Sequence, residues 1–159
     1  MVRLIYYLLI LFIVAGFAVY DIYKKRVPNK ALVLFLPVAF AAPVIDILAL
    51  NPGLIDWLRL GPMVMYAFAG AAAGFIILLS AAVASKSGNG IGGGDIKLIA
   101  VLGFIYGITG IICILIISSL LAAISGLCIK RKSGNQILRL PFVPFILTGV
   151  FAATALLYF

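Results

Sequence analysis

The chain has 159 residues, 66% of them hydrophobic and 10% charged, and its formal net charge of +8 comes from 12 Lys and Arg against 4 Asp. Soluble domains carry about 25% charged residues, and a chain of this size could not keep so much apolar surface from water, so a soluble domain is excluded. No stretch alternates polar with apolar residues as a membrane β-strand does, which leaves an all-α polytopic helical bundle in the lipid bilayer, expected as one domain over residues 1–159.

A membrane helix takes about 20 apolar residues. Span 1 is expected over residues 4–22; with no basic cluster ahead of it and no A-x-A site, it reads as a retained span rather than a signal peptide. Lys24, Lys25, Arg26, Pro28, Asn29 and Lys30 then form a basic loop. Span 2 covers residues 31–50 and should bend at Pro37 and Pro43. Asn51, Pro52, Asp56 and Arg59 make a polar connection, in which Leu54, Ile55, Trp57, Leu58 and Leu60 suggest a segment lying in the interface. Span 3 covers residues 62–84, and a glycine loop follows over 85–94.

From Ile96 to Ile129 the only charge is Lys97. One helix of about 33 residues would be roughly 50 Å long, against a hydrocarbon core of about 30 Å. Two spans, 96–106 and 111–129, are therefore expected, broken at Gly107-Ile108-Thr109-Gly110. A basic loop from Lys130, Arg131 and Lys132 to Arg139 leads to span 6 over residues 140–159. Gly70-x-x-x-Gly74 and Gly103-x-x-x-Gly107 read as helix-packing faces. Cys113 and Cys128 read as small hydrophobes.

Charge supports six spans. The loops after spans 1, 3 and 5 hold ten Lys and Arg, and the other side holds Arg3 and Arg59, a strong positive-inside bias. Five spans would put the Lys130 cluster on the wrong side. The basic excess then reports topology and contact with anionic lipid. No basic face with interleaved exposed aromatics points to nucleic acid. Asp21 and Asp95 fall on the cytoplasmic side, whereas Asp46 and Asp56 fall toward the other.

An acid near hydrocarbon is costly, so Asp21 and Asp95 are candidates for function. Two carboxylates a few Å apart cannot both ionise cheaply and share a proton. The ionised member can take a proton from water while the protonated member polarises a carbonyl, which is peptide hydrolysis without metal or cofactor. The chain has no His and no CxxC pair, so no zinc site is expected. Gly92, Gly93 and Gly94 leave Asp95 unshielded and let the backbone take positive φ and approach a substrate closely, as a substrate-access loop along which a strand could lie. The structural alternatives are that Asp95 caps the following helix and that Asp21 pairs with Lys24 or Lys25. Lys97 either anchors the helix at the interface or tunes the acid pair. Gly88-x-Gly90-x-x-Gly93 fits a dinucleotide fingerprint, but it joins two membrane spans instead of a strand and a helix, and is discounted.

These residues resemble a known family. Gly92-Gly93-Gly94-Asp95 followed by Ile96-Lys97-Leu98 resembles the GxGD-x-K-[LM] signature of type IV prepilin peptidases. Asp21 with its basic turn and Val27-Pro28-Asn29 is similar to their first catalytic segment, and Pro141-Phe142-Val143-Pro144-Phe145 to their closing P-F-x-P-F motif. The resemblance implies a cytoplasmic-membrane aspartic endopeptidase with Asp21 and Asp95 as its catalytic pair, cutting the basic leader from prepilin-like proteins at the cytoplasmic face. It is closest to the short, peptidase-only branch, like those serving tight-adherence pili or archaeal flagellins. Presenilin-type proteases share GxGD, but their nine spans and PAL motif do not match. The rival class is a non-enzymatic membrane component of a pilus or secretion machine, or a small transporter subunit, with structural acids. The chain carries no signal for an oligomeric state.

Overall fold

In lipid, backbone polar groups must bond within their own segment, so long apolar runs become helices. The computed structural model describes residues 2–50, 57–84, 92–133 and 141–158, and every element among them is a helix. They are α1 (Val2–Lys24), α2 (Asn29–Phe40), α3 (Ala42–Leu50), α4 (Trp57–Ala84), α5 (Gly93–Ser133) and α6 (Val143–Tyr158). Asp56, Lys86, Gly88 to Ile91 and Arg139 lie outside the described residues. Four helices are long and apolar enough to cross a membrane: α1, α2 with α3, α4 and α5; α6 is a shorter apolar helix.

The bend expected in span 2 falls at Ala41, where α2 passes into α3. Pro43 has no N–H for the Ala39 carbonyl, and the Ala41 N–H instead makes a tighter bond to the Val38 carbonyl at 3.2 Å. Trp57 to Leu60 do not form a separate interfacial segment. They are the first turn of α4, which continues through Pro62 at the loss of one backbone bond. The last helix starts at Val143, later than the expected 140, with Pro144 in its first turn, where a missing N–H is tolerated.

Within α5, Gly107 is non-helical, with φ 65° and ψ −170°. The chain reverses there. A Cβ built on Gly74 would lie 2.9 Å from the Ile99 side chain and 3.0 Å from that of Ile111. On one straight helix those two residues would stand roughly 18 Å apart. Residues 93–106 and 108–133 therefore fold back on each other, and α4 packs along both. The small residues permit this contact: a Cβ at Gly70 or Gly103 would run into the facing backbone. Tyr66 secures the reversal, its hydroxyl sharing a hydrogen bond with Thr109 Oγ1 at 2.6 Å and accepting one from the Thr109 N–H at 3.0 Å.

On α1, Tyr6, Tyr7, Ile10, Val14, Phe17, Ala18 and Asp21 are buried, a stripe of three- and four-residue steps facing the bundle. Phe12 and Leu34, at 79% and 77% exposure, face outward where lipid would lie. Near the start of α1, Asp46 pairs with Arg3 at 3.0 Å and accepts a hydrogen bond from Tyr7 at 3.3 Å. This tie between α1 and α3 lies roughly 27 Å along α1 from Asp21. Asp46 thus has a structural task at the opposite end of the helix.

Candidate active site

The buried stripe of α1 ends on Asp21, which is only 4% exposed. Beyond it the helix closes. Lys25 takes φ 50°, and its N–H bonds the Asp21 carbonyl at 2.7 Å, a left-handed helix stop here made by a residue other than glycine. Val27 and Pro28 carry the chain into α2, and Val27 is buried.

The Asp21 carboxylate does not pair with Lys24 or Lys25. Its Oδ2 accepts a hydrogen bond from the Val143 N–H at 3.2 Å, and the Phe142 N–H also faces it. These are free amides at the start of α6, where a helix presents unpaired donors and a positive dipole end. A buried acid is thus stabilised by a segment 122 positions away.

Asp95 sits in the first turn of α5 and is half-buried. It is the third helical residue, not the N-cap itself. The cap is Gly92, and the Asp95 carboxylate reaches back to the Gly92 N–H, the arrangement of an acidic residue in a capping box. The charge of Asp21 acts on Asp95. Two acids from α1 and α5, each held by backbone amides at a helix start, therefore stand within electrostatic reach.

Gly92 and Gly93 are exposed, and a Cβ on Gly93 would meet nothing. Gly94 is different: a Cβ there would come within 2.8 Å of the Val27 Cβ and 3.0 Å of its carbonyl oxygen. Gly92, Gly93 and Gly94 do not use the positive φ that glycine permits. Among the described residues the one glycine that has it is Gly107. What glycine supplies at position 94 is a missing Cβ. Lys97, exposed, donates a hydrogen bond from Nζ to Asn29 Oδ1 at 3.2 Å.

Asp46 and Lys24 take no part in this cluster, and Asp56 lies outside the described residues. Sequence reasoning missed the backbone donors at Phe142 and Val143, and Asn29 as the partner of Lys97. Proline at position 144, marking a helix start, was the available signal for the donors. Among the described residues no three His, Cys, Asp or Glu side chains come together, so the acids stand as a pair. A pair of this kind can hold one proton between two carboxyls, one acting as base and the other as acid.

The chain matches the type IV leader peptidase family over residues 5–127, a range that contains both acids. It is 38% identical over 136 residues to the prepilin leader peptidase/N-methyltransferase of Bacillus subtilis (strain 168), over 83% of this chain and 48% of that protein. The chain thus spans about half the length of that curated relative. No solved structure matches it.

Proposed function

The chain belongs to the type IV leader peptidase family, and we propose that it is an aspartic endopeptidase using Asp21 and Asp95. The observation that carries this reading is the pairing of a buried acid, held by the α6 amides, with a second acid on which its charge acts. One carboxylate takes a proton from the attacking water. The other, protonated, donates to the carbonyl oxygen to give a gem-diol; as the C–N bond breaks, the first carboxyl passes its acquired proton to the leaving amine and the second takes one back from a gem-diol hydroxyl. Water supplies the nucleophile, so the hydrolysis needs no metal ion or other cofactor.

The substrates are prepilin-like or preflagellin-like membrane proteins, cut at the cytoplasmic face of the cell membrane to release a basic leader. In a six-span topology, with the reversal at Gly107 separating the fourth span from the fifth, both acids would lie on that face. The Lys and Arg distribution supports this topology. The exposed Gly92 and Gly93 leave room for an extended peptide beside Asp95.

Co-expression with a tagged prepilin-like protein tests the reading: the leader is released in membranes containing this chain. Substrate that remains uncleaved across a panel of such proteins would favour a non-enzymatic membrane component. The same assay examines the α6 donors. Val143→Pro removes the N–H that Asp21 accepts, at a helix-start position where proline is tolerated. Cleavage is expected to fall at least about tenfold, the worth of one charge-assisted hydrogen bond, with helix content by circular dichroism unchanged. Parent-level cleavage by this variant would show that the donor is dispensable.

A further inference from the structure

The two acids sit on elements that have little direct packing in common. α1 packs on α6 and α3, and α5 on α4, α6, α2 and α3, so the two meet chiefly through shared neighbours. Beside α6, a second link between the segments of Asp21 and Asp95 is the turn from α1 to α2, which touches the start of α5. Two contacts hold that turn against the start of α5: Val27 seated on Gly94, and Asn29 Oδ1 accepting from Lys97 Nζ at 3.2 Å. Asn29 is the first residue of α2, eight positions after Asp21, and Lys97 lies two positions after Asp95. One end of this tether is therefore on α5 with Asp95 and the other lies just past the turn that follows Asp21, and the tether joins residues 68 positions apart.

The geometry points to Asn29 and Lys97 as positioning residues that set the spacing of Asp21 and Asp95. Both side chains are exposed, so their bond, exchanged with water, adds little to global stability. Its effect lies in placement, and a displacement of about 1 Å at a reacting centre can cost about a hundredfold in rate. The Val27–Gly94 contact fixes the distance between the two segments, and the Asn29–Lys97 bond fixes how they slide past one another. The inference rests on the reading of Asp21 and Asp95 as the working pair.

Lys97→Met and Asn29→Ala are each expected to lower kcat for leader release roughly ten- to a hundredfold, with KM and the unfolding midpoint close to the parent's. The double variant is expected to be no slower than either single, because both remove the same bond. Lys97→Arg, which keeps a donor, is expected to retain most activity. A second readout does not depend on cleavage. In a C113A/C128A background, D21C/D95C is cross-linked with a short bifunctional thiol reagent, and adding Lys97→Met is expected to reduce the yield severalfold. Parent-level kcat together with parent-level cross-linking in the Lys97 and Asn29 variants would overturn the inference. So would additive losses in the double variant. If no chain cleaves substrate yet Lys97→Met still lowers cross-linking, the peptidase reading fails and the positioning role stands.

Discussion

Asp95→Asn is expected to abolish leader release from a co-expressed prepilin-like protein, and Asp21→Asn to do the same, while both variants insert into the membrane as the parent does. Asparagine has nearly the shape of aspartate, and its carbonyl oxygen can still accept from the Gly92 N–H or from the Val143 N–H. The change therefore removes proton transfer and leaves the packing. General acid–base catalysis contributes about 10²–10⁴ in rate. In the proposed mechanism the two carboxyls share one proton cycle, so losing either is expected to cost nearly as much as losing both. Quantitative immunoblotting of membranes, with insertion measured in parallel, makes the test. Asp46→Asn is the control: it weakens the Arg3 pair at about 1 kcal/mol and should leave cleavage within about twofold of the parent, since it lies far along α1 from Asp21. An Asp21 or Asp95 variant that cleaves at the parent's rate ends the paired-acid mechanism.

Gly107→Val should produce the largest loss of stability. With φ 65° and ψ −170°, Gly107 occupies a backbone region that is essentially closed to other residues and costs about 1–3 kcal/mol. A Cβ there would also overlap the Tyr66 ring. Tyr66 cannot move aside without giving up both hydrogen bonds to Thr109. At roughly 2–4 °C per kcal/mol for a chain of this size, the unfolding midpoint in detergent should fall by about 5–10 °C. Gly16→Ala is the matched comparison, because its Cβ would meet nothing, and it should hold or slightly raise the midpoint. An unchanged midpoint for Gly107→Val would mean that the reversal does not require glycine.

Much of this arrangement is legible in the sequence, for reasons that differ by residue. Hydrocarbon forces helices from apolar runs, so the all-α membrane bundle followed from composition. The break at Gly107 could be read because the apolar stretch was too long for the bilayer and held glycines near its middle. The bend near Pro43 followed from a missing N–H. The extent of α4 was misread because Trp57 and Leu60 suit an interface equally well as a free segment or as the first turn of a helix. The sequence leaves open which property the glycines before Asp95 use, since glycine serves both positive φ and close approach. At Gly94 only the second applies, and that depends on Val27, far away in sequence. The donors to Asp21 were illegible for a similar reason: they are backbone amides, which every residue except proline carries. The bond between Asn29 and Lys97 joins two residues that appeared in separate motifs, and their pairing needs the fold.

The reversal at Gly107 also sets how deep the Asp95 end of the bundle reaches. Residues 93–106 provide roughly 21 Å of helix at 1.5 Å per residue, against about 30 Å of hydrocarbon. Residues 98–106 are buried between neighbouring helices apart from the half-buried Ala100, so the shortfall is taken up inside the protein and not against lipid. On the proposed topology, the Asp95 end of this stub would sit recessed below the headgroups, and water and a peptide would meet the acid within the depth of the membrane.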